Sequence, residues 1–69
     1  MVGNMEMMVK ELKSYKGYGI DKIWWVDEED GKMNKKRGYV YVGSQDDEYV
    51  TGEFKSAEEL KAYIDSVVK

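Results

Sequence analysis

The sequence predicts a two-layer α+β domain of order α-β-β-β-α, in which a three-stranded antiparallel meander carries both helices on one face. Three observations support this fold class. Apolar residues recur at helical spacing near both ends of the chain, whereas the middle is rich in Val, Ile, Tyr and Trp, which favour strands. The pair Asp30-Gly31 divides that middle region as a hairpin turn does. Without a linker-like segment, the chain is predicted to be a single domain, residues 1–69.

The first helix is predicted over about residues 4–16. Asn4 suits its N-cap, since a side-chain oxygen there accepts a hydrogen bond from a free backbone N–H. Gly17 suits the left-handed position that commonly follows a helix. The apolar stripe of this helix consists of Met5, Met8, Val9, Leu12 and Tyr15.

Three strands are predicted over about residues 20–28, 33–42 and 48–54. Short connections place consecutive strands side by side, and Asp30-Gly31 is typical of a two-residue type I′ turn between the first two. Because successive side chains of a strand point to opposite faces, the valine side of the sheet is predicted to pack under the helices. That side holds Val40, Val42, Val50 and Phe54, and the opposite side holds Tyr39, Tyr41, Tyr49 and Thr51.

The second helix is predicted over about residues 57–68. Ser56 and Glu59 form the capping-box pattern S-x-x-E, in which each side chain satisfies a backbone N–H of the first turn. The apolar stripe that follows consists of Leu60, Tyr63, Ile64 and Val67.

The two adjacent tryptophans are predicted to divide between the two faces of the sheet. With Asp30-Gly31 at the centre of the turn, Trp24 faces Arg37, and Trp25 points with Val40 toward the helices. A slip of one residue would exchange the tryptophans and still leave one of them among the tyrosines. The open face is therefore the predicted partner-binding site, made of Trp24, Val26, Arg37, Tyr39, Tyr41 and Tyr49.

Three interpretations of this aromatic face are open. Trp, Tyr and Arg dominate binding hot spots, which favours a protein interface, either with a second copy in a homodimer or with a different protein. Alternatively, the rings pair across strands only to stabilise the sheet, with Arg37 in a cation–π contact over Trp24. In the third interpretation the face binds nucleic acid, with bases stacked on the rings and with Lys22, Lys35 and Arg37 on the phosphates.

The composition argues against catalysis. The chain has no histidine and no cysteine, so the commonest general base and the most reactive nucleophile are missing. No glycine-rich phosphate-binding motif occurs, and the acidic clusters at residues 27–30 and 46–48 lack the spacing of a calcium loop. These clusters are interpreted as solvated turns. The chain is predicted to be a non-enzyme with no catalytic residue, cofactor or metal site.

Charge and hydropathy indicate an acidic cytoplasmic protein. The net charge is −3, which disfavours general binding to a phosphate backbone and makes nucleic acid the alternative to a protein partner. The lack of cysteine fits a reducing compartment, and no apolar run approaches the roughly 20 residues of a membrane span. The small size, acidity and lack of catalytic residues suggest the hypothesis of a phage or mobile-element protein that inhibits a host protein.

The predicted element order resembles that of the double-stranded RNA-binding fold. In that family a lysine-rich segment at the start of the second helix grips phosphates, whereas Glu58 and Glu59 occupy the same place here. The ending GEFKSAEELKAYI also resembles the small sheet-based DNA-binding domains at the amino ends of phage integrases. Both resemblances imply the nucleic-acid alternative, and neither places the chain in a family.

Overall fold

A computed structural model describes residues 5–68, which form four strands followed by one helix. The strands are antiparallel and lie side by side in chain order. The predicted α-β-β-β-α order is wrong because the first element is a strand, and the likeness to the double-stranded RNA-binding fold falls with it. The antiparallel sheet and the carboxyl-terminal helix are confirmed. The elements are β1 (Met5–Tyr15), β2 (Tyr18–Asp27), β3 (Val40–Gln45), β4 (Glu48–Tyr49) and α1 (Ala57–Val67).

The segment predicted as the first helix forms the edge strand β1. It pairs with β2 from Met5 opposite Asp27 to Leu12 opposite Ile20. The apolar residues of this segment fit a helical period, but β2 carries apolar side chains on both faces and needs a hydrogen-bonded strand on each edge. The tertiary context therefore decides in favour of a strand. Asn4, the predicted N-cap, lies outside the described residues.

Lys16 and Gly17 connect β1 to β2 in a tight turn. Both have positive φ angles, of 50° and 85° respectively, as a type I′ turn requires. Gly17 thus adopts the left-handed conformation expected of it, but inside a hairpin and not after a helix. An irregularity in the pairing just before this turn brings Tyr15 to the same side of the sheet as Leu12.

The loop after β2 is wider than the predicted turn at Asp30-Gly31. Its closing hydrogen bond joins the backbone N–H of Asp27 to the carbonyl oxygen of Lys32 at 2.9 Å. The type I′ turn predicted for this position is therefore wrong.

A second turn then interrupts the strand predicted over residues 33–42. It is closed by the backbone N–H of Gly38, which donates to the carbonyl oxygen of Asn34 at 3.2 Å. Gly38 has a φ angle of 64°, a conformation that glycine adopts without steric cost. Only Met33 pairs with β2 before this turn, and β3 begins at Val40.

β4 covers only the start of the strand predicted over residues 48–54. After it the chain leaves the sheet, and the hydroxyl of Thr51 accepts the hydrogen bond of the Gly43 N–H at 2.8 Å. Pairing resumes where Phe54 and Tyr41 exchange backbone hydrogen bonds of 2.7 and 2.9 Å. This edge of the sheet is therefore short and interrupted.

The hydrophobic core lies between α1 and one face of the sheet, which we call the helix face. Leu60 and Ile64 of α1 are fully buried there, together with Tyr18 and Ile20 of β2. The partly buried residues Leu12, Tyr15, Tyr41 and Phe54 pack against this cluster.

The sequence prediction placed the helices on the wrong side of the sheet. Tyr41 packs on the core under α1, whereas Ile23 and Val42 are buried on the opposite side, which we call the open face. Side-chain alternation defines two faces but does not say which one a helix covers. Phe54, paired with Tyr41 just before α1, brings the chain into the helix at the Tyr41 side.

The second predicted helix is confirmed as α1, which ends one residue earlier than expected. The Ser56 hydroxyl accepts a hydrogen bond from the Glu59 N–H at 3.1 Å. The Glu59 carboxylate accepts one from the Lys55 N–H at 3.3 Å. The apolar stripe is narrower than predicted, because Tyr63 and Val67 are exposed. Within residues 5–68, no helix has the length and hydropathy needed to cross a membrane.

A polar clamp fastens the last turns of α1 to the first hairpin. The Tyr15 hydroxyl donates to the Asp65 carboxylate at 2.8 Å, and the Lys16 ammonium forms an ion pair with the same carboxylate. The Lys16 ammonium and the Tyr15 hydroxyl together lower the pKa of Asp65. The carboxylate in turn raises the pKa of Tyr15.

Replacing Ser56 with Ala is expected to lower the free energy of unfolding by about 1 kcal/mol, because the Glu59 N–H loses its cap. Urea unfolding followed by circular dichroism measures this change. Ser66→Ala is the matched control, since the Ser66 hydroxyl donates to a carbonyl oxygen within α1, and it should change stability by less than about 0.5 kcal/mol. Equal effects of the two substitutions would contradict the capping role.

The clamp at Asp65 predicts a loss of stability in acid. Because folding lowers the pKa of Asp65, its contribution is complete above the unfolded value of about 4 and is lost as the pH falls through the lower folded value. The wild-type chain is expected to have a higher urea midpoint than Asp65→Asn at about pH 6, and the difference should shrink below about pH 4. A difference that does not change with pH argues against the clamp.

Candidate functional site

Part of the predicted partner-binding set lies together on the helix face. Trp24 and Val26 point to this face from β2. Tyr39 lies beside Trp24, with the ring centroids 5.8 Å apart and the planes at 65°, an edge-to-face arrangement. Met33 pairs with Val26. We call Trp24, Val26, Met33 and Tyr39 the aromatic patch.

The aromatic patch lies beyond the part of the helix face that α1 covers. The core beneath the helix extends to Tyr41 and Phe54 and includes none of the patch residues. Tyr39 is 42% exposed, and Trp24 is half-buried. The molecule is elongated, measuring 48 × 21 × 18 Å, because β1 and β2 continue past β3. The patch sits on this extension.

Two lysines border the aromatic patch. The Lys22 ammonium lies 4.0 Å from the centroid of the Tyr39 ring. Lys10 of β1 stands directly opposite Lys22, and like charges in this position destabilise a sheet. Neither ammonium forms an ion pair with another residue in the range 5–68. A carboxylate brought to this corner would therefore be attracted by both.

Tyr41 was predicted to belong to the binding surface, but it packs on the core and apart from the aromatic patch. Its side chain points to the helix face, as Trp24 does, but it packs against the core formed by Ile20, Leu60 and Ile64. The prediction failed here because it placed the helices on the other side of the sheet. Tyr41 therefore serves the fold.

Arg37 and Tyr49 were also predicted to belong to this surface, and both lie away from the aromatic patch. The Arg37 guanidinium stands 4.3 Å from the centroid of Trp25, which points to the open face, and not over Trp24. Tyr49 donates from its hydroxyl to Asp21 at 3.0 Å, also on the open face. Partial burial and this hydrogen bond raise the pKa of Tyr49.

A shallow acidic groove of about 460 Å³ lies beside Tyr49. Glu11 and Asp21, which line it, stand opposite each other across β1 and β2, and Asp47 also lines it. Within the described part of the chain, no group of three or more His, Cys, Asp or Glu side chains is arranged to hold a metal ion. We assign this groove no ligand.

The long open edge of β1 is a surface that the sequence analysis missed. Four apolar residues near the start of β1 are exposed. Their exposed fractions are 38% for Met5, 52% for Met7, 37% for Met8 and 44% for Val9. The predicted first helix would have buried three of them, Met5, Met8 and Val9, as part of its apolar stripe. The signal that could have revealed the strand is the pair Lys16-Gly17, which separates two runs rich in apolar residues as a hairpin turn does.

Comparison with models of protein families, with curated proteins and with solved structures finds no match for this chain.

Proposed function

We propose that this chain is a small non-enzymatic protein-interaction module, and that its aromatic patch binds an apolar segment of another protein that carries an acidic side chain. The observation that supports this proposal is the edge-to-face pair of Trp24 and Tyr39 on a part of the helix face that α1 does not cover. Trp and Tyr are the residue types that most often dominate the binding energy of protein interfaces.

The geometry of the aromatic patch favours binding at low entropic cost. Trp24 and Tyr39 hold each other in place, and Tyr39 also lies under the Lys22 ammonium. Because these contacts restrict the rings, less conformational freedom is lost when a partner covers them. Apolar side chains of the partner would contact the two rings, and its carboxylate would meet Lys22.

The charge around the aromatic patch favours a protein over a nucleic acid. Glu6 stands opposite Val26 at one border of the patch, and the exposed acidic loop of residues 28–30 follows the same strand. Negative charges at these positions would repel a phosphate backbone, and the net charge of −3 adds to this effect. A host protein inhibited by a phage or mobile-element protein is one form of partner consistent with this proposal.

Replacing Tyr39 with Ala is expected to weaken binding of the partner by about 30-fold, the effect of losing a hot-spot side chain of about 2 kcal/mol. Lys22→Glu should weaken it as well, because it would repel the partner's carboxylate. A partner is first obtained by affinity capture on the immobilised chain, and its dissociation constant for each variant is then measured by calorimetry.

Tyr63→Ala is the matched control for this experiment. Tyr63 is 41% exposed, almost the same as Tyr39, but it lies on α1 next to Phe54 and away from the aromatic patch. An equal loss of binding in Tyr39→Ala and Tyr63→Ala would argue against the aromatic patch as the binding site. Salt-sensitive binding to mixed single-stranded DNA or RNA, lost in Tyr39→Ala, would replace the proposal with the nucleic-acid alternative.

A further inference from the structure

The two edges of the sheet differ in how they are protected. The β4 edge is only two residues long and is interrupted before the bridge at Phe54. The β1 edge is eleven residues long and pairs without interruption from Met5 to Leu12. Natural sheets usually protect an edge with short strands, bulges or inward-facing charges. Between Met5 and Val9 the β1 edge has no bulge and a single charged residue, Glu6, and its apolar side chains are exposed.

We infer that two copies of this chain associate through β1, which pairs antiparallel with the same strand of the partner so that Met8 stands opposite the partner's Met8. The two sheets then form one continuous sheet about a two-fold axis perpendicular to it. Backbone groups along Met5–Glu11 that face outward from β1 supply the hydrogen bonds of the new pair.

The charges on β1 select this register. In an antiparallel strand pair with two-fold symmetry, one residue always stands opposite its own copy. We call this residue the centre of the pair, and β1 offers only a few possible centres. With Met8 at the centre, Glu6 faces the partner's Lys10, and Lys10 faces the partner's Glu6. Both residues lie on the helix face with Met8, so the two opposite charges are direct neighbours across the new strand pair.

The other possible centres of the strand pair are less favourable than Met8. A pair centred on Lys10 or on Glu11 would bring identical charges together. A centre at Met7 would place Glu6 opposite the partner's Met8, and a centre at Val9 would place Lys10 there. Neither forms a pair of opposite charges, whereas the Met8 centre forms two and leaves only Glu11 opposite an apolar residue, the partner's Met5. A centre at Leu12 would require regular pairing through the irregular stretch between Leu12 and Tyr15.

Pairing at Met8 also relieves a strain that exists within one copy. Lys10 stands opposite Lys22 on β2 and forms no ion pair with any residue in the range 5–68. In the dimer Lys10 lies between Lys22 on one side and the partner's Glu6 on the other. The like-charge contact that destabilises the single chain is thereby compensated.

The apolar side chains of the two copies match on both faces. On the helix face Met8 lies next to Trp24, so the thioethers of the two copies meet between two tryptophans, where sulfur–aromatic contacts are favourable. On the open face Met7 lies next to Trp25 and would face the partner's Val9. The pairing uses the backbone of the β1 edge and leaves the rings of the aromatic patch uncovered. It takes up Lys10 at the border of the patch and leaves Lys22 for the partner of the proposed function, so this inference does not depend on that function.

Charge exchange tests the register. Glu6→Lys and Lys10→Glu should each raise the dimer dissociation constant by about tenfold, since two attractive pairs become repulsive, and the double variant with both substitutions should restore it. Glu11→Lys and Lys13→Glu make the same charge changes on β1 outside these pairs and serve as controls. Sedimentation equilibrium over a range of concentrations measures the constant, and circular dichroism checks that each variant folds.

A cysteine placed at the two-fold axis gives a second readout that does not depend on charge. The chain has no cysteine of its own, so Met8→Cys introduces a single thiol that faces its own copy. It should form a disulfide-linked dimer under mild oxidation, while Lys13→Cys should not. A wild-type chain that stays monomeric at millimolar concentration, a double variant that is not restored, or equal cross-linking of the two cysteine variants overturns the inference.

Discussion

The structure depends on the pairing of β2 along both of its edges. This strand buries Ile20 toward α1 and Ile23 toward the open face, so it must lie inside a sheet with a hydrogen-bonded strand on either side. That requirement makes Met5–Tyr15 a strand and leaves α1, the single helix within residues 5–68, for the two faces of the sheet. The helix covers the end of the sheet near the first hairpin, where Asp65 holds it to Tyr15. The aromatic patch and the β1 edge are the surfaces that a fold with one helix leaves uncovered.

The features with local causes could be predicted from the sequence. α1 begins where it was expected because Ser56 and Glu59 act within a single helical turn. The division of Trp24 and Trp25 between opposite faces was also predictable, although the turn between β2 and β3 was not. The pairs that β2 makes with Met33 and with β3 both differ from the predicted register by an even number of positions. An even shift keeps each side chain of a paired strand on its own face.

The features that depend on long-range competition could not be predicted. Met, Lys and Glu, which are abundant in β1, are good helix formers, and the demand of β2 for a paired neighbour outweighs that preference. The side of the sheet that receives α1 is set by the bridge between Phe54 and Tyr41, which no local pattern announces. The candidate site was consequently predicted in part: Trp24, Val26 and Tyr39 lie together, whereas Tyr41 is in the core and Tyr49 and Arg37 lie elsewhere.

The interruption after β4 has a consequence for how far assembly can proceed. A sheet with two regular edges can add copies at both ends and grow into a filament, as in cross-β polymers. Here β4 is only two residues long, and beyond it the Gly43 N–H of β3 donates to the hydroxyl of Thr51 and not to the backbone of a paired strand, so that margin of the sheet cannot serve as a template for a further strand. The association inferred for the other margin would then terminate at a closed pair, which would allow the chain to expose methionines along a strand without polymerising.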